Sequence, residues 1–135
     1  MSPQLWLPAL LLYVLMPSLT AAQTYVTTSA HRMPFERVDS LRKLLKESQP
    51  VVAEAKRRGG VLDDVWLVHA WAGEYSVVQI TTWKSWAALE DTTLSFEAAQ
   101  RKVFPDSVAR KKLQDRINWV FEGVLHEDNI YTKVE

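Results

Sequence analysis

Residues 64–83, DVWLVHAWAGEYSVVQITTW, form the stretch of sequence that decides the fold. Two runs rich in β-branched and aromatic side chains flank Ala72-Gly73-Glu74, a pattern that predicts a β-hairpin. Gly73 as the first central residue of a two-residue turn favours type II′ and would place Trp66 opposite Thr81. A three-residue loop over Ala72-Gly73-Glu74 is the alternative, and it would change the faces that the two strands share.

Both faces of this hairpin are apolar. Trp66 and Val68 point to one face, whereas Val65 and Leu67 point to the other. A half-solvated strand would instead alternate apolar and polar residues, so both faces require burial. One layer of helices can cover only one face, and a second copy of the chain is the most economical cover for the other. The sequence therefore predicts a homodimer.

The elements around the hairpin have a recognisable order. Residues 23–33 read as a first strand, and apolar residues at helical spacing then predict a helix from Val38 to about Arg58. Pro50 lies inside this helix and is expected to kink it or split it in two. Gly59-Gly60 is expected to end it, since glycine favours the left-handed turn at a helix C-terminus.

After the hairpin, Ser85 is expected to cap a helix that runs to Val103. Pro105-Asp106 breaks it, a further helix follows, and the sequence after Gly123 reads as a closing strand. The resulting β-α-β-β-α-(α)-β order predicts an α+β, ferredoxin-like βαββαβ domain. We expect a four-stranded antiparallel sheet with helices on one face.

This order, together with the doubly apolar hairpin, resembles the dimeric α+β barrel superfamily, in which two such sheets pack face to face. Residues 65–91, VWLVHAWAGEYSVVQITTWKSWAALED, are most similar to its NIPSNAP-like and small antibiotic-biosynthesis-monooxygenase-like members. In those proteins the hairpin leads into a helix through a tryptophan with small residues, matched here by Ser85-Trp86-Ala87. The resemblance covers residues 23–135 and includes no catalytic signature, so it implies a fold more than a reaction.

The N-terminal residues 1–22 resemble a secretory signal peptide. An almost uninterrupted apolar run from Leu5 to Leu19 ends in Thr20-Ala21-Ala22, and Gln23 follows. The run is too short to span a bilayer comfortably and contains two prolines. We expect cleavage after Ala22, a secreted or periplasmic protein and no stable membrane anchor afterwards. A retained anchor and a wrongly assigned start are the alternatives, because no Lys or Arg precedes the apolar run.

Composition excludes several classes of function. The chain has no cysteine, which removes disulfides, thiolate nucleophiles and cysteine-ligated zinc. Its 16 basic and 16 acidic residues balance, so no charge pattern predicts a nucleic-acid partner. We find no Gly-rich phosphate loop, nucleophile elbow or H-E-x-x-H motif, and we therefore expect no cofactor.

An apolar cavity inside the barrel is the main site hypothesis. The residues expected to line it share one predicted sheet face and combine aromatic rings with a few polar groups, as a pocket for an apolar ligand requires. They are Trp66, Tyr75, Val77, Gln79, Thr81 and Trp83. The opposite, more aliphatic face is expected beneath the helices. The alternative is that these rings only fill the dimer interface, where aromatic residues are enriched.

His69 and Trp71 lie on that opposite face and form the alternative site. His69 could accept a proton or ligate haem, although a buried, hydrogen-bonded histidine is the more common situation. His126-Glu127-Asp128 has a metal-like composition, but successive strand residues point to opposite faces. We therefore expect no metal site.

Three functions agree with this sequence. We favour an exported homodimer that binds a small apolar or aromatic molecule. The resemblance implies a second function, a cofactor-independent monooxygenase that binds an aromatic substrate and lets the substrate carbanion react with oxygen. The third is a non-catalytic dimerisation or interaction protein. A cavity of several hundred Å³ would favour the first two, and a side-chain-filled interior would favour the third.

Overall fold

Four antiparallel strands form one sheet in the computed structural model, which describes residues 23–69 and 76–132. The strands are β1 (Tyr25–His31), β2 (Val61–Val68), β3 (Val77–Trp83) and β4 (His126–Thr132). The helices are α1 (Val38–Arg57), α2 (Trp86–Glu90), α3 (Phe96–Val103) and α4 (Ser107–Phe121). The sheet order β2-β3-β1-β4 places the first and third strands at the centre, which confirms the predicted ferredoxin-like α+β fold.

The first helix is longer and more regular than Pro50 suggests. α1 runs unbroken for 20 residues, so the alternative of two separate helices is wrong. Pro50 is exposed, and water can therefore hydrogen-bond the Lys46 carbonyl that a proline leaves without its usual partner. The helix ends as predicted, since Gly59 adopts a φ of 84°.

The helical region after β3 differs from the prediction of one helix between Ser85 and Val103. Ser85 does cap α2 by accepting a hydrogen bond from the Ala88 amide, but α2 ends at Glu90. The Asp91 side chain then accepts from the Thr93 amide in a short 3₁₀ turn, and Ser95 caps α3. Local side-chain hydrogen bonds of this kind compete with helix continuation.

The hairpin register also differs from the prediction. β2 and β3 pair Trp66 with Gln79 and Leu67 with Val78, two residues away from the expected pairing of Trp66 with Thr81. The predicted turn lies within residues 70–75, outside the described residues. A shift of two residues keeps the same side chains on the same face, so the predicted grouping into two faces survives.

The assignment of these two faces was wrong. Val77, on the face expected to line the barrel interior, is 0% exposed and belongs to the core beneath the helices. This core packs β3 against α1 and α4 through residues that include Leu41, Leu44, Leu113 and Val120. A second core cluster joins α1, β2 and α3 through Val51, Ala55, Val61 and Ala99.

The opposite face, expected to lie under the helices, is the open face of the sheet. Val65 is 40% exposed and Leu67 is 50% exposed. Antiparallel pairing aligns them with Ile80 and Val78 on β3. We call the surface formed by Val65, Leu67, Val78 and Ile80 the open apolar face. The helices therefore cover the face opposite to the one expected, and an apolar face of the sheet remains open.

The predicted signal peptide, residues 1–22, lies outside the described residues. Within the ranges that the structure describes, no helix combines the length and the apolar character needed to cross a membrane.

Candidate functional site

A cavity of about 960 Å³ lies between the helices and the covered face of the sheet. Its floor is formed by β2 and β3, and its walls come from α1, α3 and α4. Most of the wall is apolar, and the side chains that form it include Leu41, Leu44, Leu45, Val52, Phe96, Leu113, Ile117 and Phe121. The cavity is large enough for a small organic molecule.

Two adjacent strands place a polar cluster on the floor of this cavity. Asp64 on β2 lies opposite Thr81 on β3, and Gln79 is two residues further along the same face. The Oδ1 atom of Asp64 accepts hydrogen bonds from Gln79 Nε2 at 2.8 Å and from Thr81 Oγ1 at 2.7 Å. Asp64 and Gln79 line the cavity, whereas Thr81 is buried beneath them. The strands therefore fix the position of a carboxylate in a mainly apolar pocket.

Trp66 forms the aromatic part of the floor. Its ring is nearly parallel to the imidazole of His31, with an angle of 11° and a centroid distance of 6.0 Å. Phe121 packs against both rings, with centroids 4.9 Å from His31 and 6.2 Å from Trp66. His31 thus lies directly behind the side chains that face the cavity.

His31 is a buried histidine with an unusual environment. It is 8% exposed, and its buried Nδ1 atom has no hydrogen-bond partner among the residues that the structure describes. Burial lowers the pKa of His31, because the charged imidazolium loses its hydration. The nearby His126 lowers this pKa further, while Asp128 opposes the shift. The neutral imidazole is therefore the favoured form in the folded protein.

The predicted cavity residues are distributed over several environments. Trp66 and Gln79 line the cavity, and Thr81 supports Asp64 from below. Val77 lies in the core, and Trp83 donates from Nε1 to Thr27 Oγ1 at 3.0 Å within the second core cluster. The structure therefore brings three of the predicted residues together at one site.

The remaining candidates are not at this site. Tyr75 and Trp71 lie outside the described residues. His69 is exposed, which corrects the expectation that it is buried on the helix-covered face. Its backbone amide donates to the Ser76 carbonyl at 2.7 Å, at the end of the hairpin pairing.

Sequence reasoning missed Asp64 and His31. Asp64 shares the strand parity of Trp66, so a search for polar residues on that face would have found it. His31 comes from β1, and nothing in the sequence indicates that it stacks on Trp66. Most wall residues were assigned only to a helix core, since helical spacing does not distinguish a filled interior from a cavity.

The described residues contain no group of three or more His, Cys, Asp or Glu side chains arranged to bind a metal ion. His126 and Asp128 do share a face, because they are two residues apart on β4, and their Nε2 and Oδ2 atoms are 3.4 Å apart.

Comparison with known proteins supports the fold alone. No protein-family model matches the sequence, and no curated protein gives a match. A NIPSNAP family protein from Agrobacterium tumefaciens has a TM-score of 0.55 at 16% identity, covering 84% of this chain and 89% of that chain. A dimeric ferredoxin-like protein from an uncultured marine organism has a TM-score of 0.53 at 18% identity, covering 84% and 96%.

A third similar structure is SnoaB, a cofactor-independent oxygenase from Streptomyces nogalater. It has a TM-score of 0.50 at 13% identity and covers 84% of this chain and 96% of that chain. At these identities the comparison shows architecture and not activity. The chain therefore shares the ferredoxin-like α+β fold of these proteins, as the order of its elements predicts.

Proposed function

We propose that this protein is an exported homodimer that binds a small, largely apolar molecule in the cavity between its helices and its sheet. The cavity of about 960 Å³ carries this proposal. Its exposed wall is mainly apolar and also carries polar side chains that could orient a ligand, as a small-molecule site requires. A protein that used this sheet only for dimerisation would need no such space beneath its helices.

The open apolar face supports the homodimer. Leu67 is 50% exposed and Val65 is 40% exposed, and Ile80 beside them continues the same surface. A contiguous apolar patch on a soluble protein marks an interaction surface. The similar marine protein is dimeric, and a standard specific interface buries about 800 Å² on each partner. We therefore propose that two open apolar faces pack together.

Export is proposed from the sequence of residues 1–22. This segment has the apolar core and small-residue end of a cleaved signal peptide. A secreted or periplasmic protein of this kind would have its mature N-terminus near Gln23.

Ligand binding can be tested by filling the cavity. Ser48 lies on α1, is half-buried and lines the cavity, so Ser48→Trp should occupy the space that a ligand needs. Ser107→Trp on the exposed start of α4 is the matched control. Mass spectrometry of solvent extracts should detect a small molecule bound to the wild type and to Ser107→Trp but not to Ser48→Trp. Equal recovery from all three proteins would contradict the proposed site.

A cofactor-independent monooxygenase that acts on an aromatic substrate is the second candidate. The similarity to SnoaB supports it, and so does His31 next to Trp66, because its pKa is lowered by burial and its Nδ1 has no hydrogen-bond partner among the described residues. A general base must come within hydrogen-bond reach of its substrate, so this role requires Trp66 or Phe121 to move and give a substrate access to His31. Dioxygen uptake with 1-naphthol or a related phenol, lost in His31→Phe, would support catalysis. No uptake by the wild type with such phenols would contradict it.

A further inference from the structure

The floor of the cavity offers two free hydrogen-bond acceptors beside Trp66. Asp64 Oδ1 already accepts two hydrogen bonds, but Asp64 Oδ2 has no partner among the described residues and is not buried. Asp64 accepts only, so the Gln79 amide must turn its nitrogen toward it, which leaves Gln79 Oε1 as a second available acceptor. The donor hydrogen of Thr81 is used by Asp64.

Asp64 has no ion-pair partner among the described residues. Three cations of α1 line the cavity: Arg42 pairs with Asp39 at 2.9 Å and Lys56 pairs with Asp63 at 2.7 Å, whereas the exposed Lys46 has no ion-pair partner among the described residues. A half-buried carboxylate without a counter-ion favours a positively charged or proton-donating partner and disfavours an anion.

The side chains around Asp64 indicate the chemical character of the rest of the ligand. Trp66 lies two residues along the same strand face and offers an aromatic surface, while Phe96 and Ile117 line the opposing walls. The donor group and the apolar body of a ligand would therefore contact neighbouring positions of two hydrogen-bonded strands. Sites built on strands hold their geometry better than sites built on loops.

We infer that the ligand of this cavity is an apolar, ring-containing molecule with a hydroxyl or ammonium group that donates a hydrogen bond to Asp64 Oδ2. The inference deepens the proposed function and rests on it. Gln79 Oε1 is the second acceptor for a group with more than one donor hydrogen, and Trp66 contacts the ring. An apolar carboxylate of the same shape is disfavoured by repulsion from Asp64.

Three naphthalene probes of similar shape test this inference by calorimetric titration of the purified chain. They are 2-naphthylmethylamine, which is an ammonium at neutral pH, 2-naphthylmethanol and 2-naphthoate. The amine and the alcohol should bind the wild type at least about tenfold more tightly than the carboxylate, because only they donate to Asp64. A tighter amine than alcohol would identify the natural donor as a cation, and equal affinities would identify a hydroxyl.

Asp64→Asn isolates the free oxygen of the carboxylate. The amide oxygen can still accept from Gln79 and Thr81, while an NH2 group, which donates, replaces the second oxygen. This variant should bind the amine about tenfold or more weakly and should no longer discriminate against the naphthoate. Asp115→Asn is the matched control, because it removes the same charge from an exposed α4 residue that pairs with Lys111 outside the cavity.

The outcomes separate the inference from the proposed function. Wild-type binding of naphthoate as tight as that of the amine overturns the inference and leaves the apolar cavity in place. Unchanged amine affinity in a folded Asp64→Asn protein also overturns it. If Asp64→Asn does not fold, the relative affinities of the three probes for the wild type decide alone. Failure of all three probes to bind the wild type contradicts the proposed function itself.

Discussion

Leu67 tests whether the open apolar face is the dimer interface. Complete burial of a leucine side chain stabilises by about 2 kcal/mol, and Leu67 is 50% exposed within one chain. Burying the remaining half would contribute about 1 kcal/mol per protomer. A two-fold interface contains the residue twice, so Leu67→Ala should weaken the dimer by about 2 kcal/mol, or roughly 30-fold in Kd.

Leu67→Asp should have a larger effect, because each protomer would bring an unpaired carboxylate into the interface. Analytical ultracentrifugation should show a dimeric wild type and a monomeric Leu67→Asp at micromolar concentration, with unchanged far-ultraviolet circular dichroism. Val108→Asp is the control, since Val108 is 59% exposed on α4 and lies away from the sheet. Dimers of equal strength for wild type and Leu67→Asp would refute the assignment of this face.

Three further predictions address His31, Gly60 and the N-terminus. The pKa of His31 is lower in the folded chain than its ordinary 6.5, so His31 contributes to the free energy of unfolding. This contribution is fully present above pH 6.5 and is lost as the pH falls through the lowered pKa. Chemical denaturation from pH 7.5 to 5 should show this decrease in the free energy of unfolding. The decrease should be smaller in His31→Phe. Gly60→Ala should destabilise by about 1–3 kcal/mol in thermal unfolding, because the new Cβ would lie 2.7 Å from Leu94 Cβ. Expression in a secreting host should give an intact mass that begins near Gln23, whereas retention of residues 1–22 would contradict export.

The sequence predicts the order and type of the elements well, because strand alternation, helical spacing and turn residues are local signals. Ser85 and Gly59 act at the helix ends as predicted. The break between α2 and α3 was missed, since Asp91 and Ser95 interrupt a helical pattern through side-chain hydrogen bonds that compete with it.

The two faces of the sheet could not be assigned from composition. The more aliphatic face, with Val65 and Leu67, was expected beneath the helices but is open. The helix-covered face contains Asp64, Gln79 and Thr81, and it tolerates them because they hydrogen-bond one another. When both faces of a sheet carry apolar residues, the sequence gives no local signal for which face the helices cover.

A crystal structure of the protein with 2-naphthylmethylamine tests the central claim most directly. We expect the naphthalene ring between the helices and the sheet, in contact with Trp66, and its ammonium group within hydrogen-bond distance of Asp64. The open apolar faces of two protomers should pack against each other without ligand between them. A cavity filled by side chains, with the probe bound between the two sheets, would contradict the account.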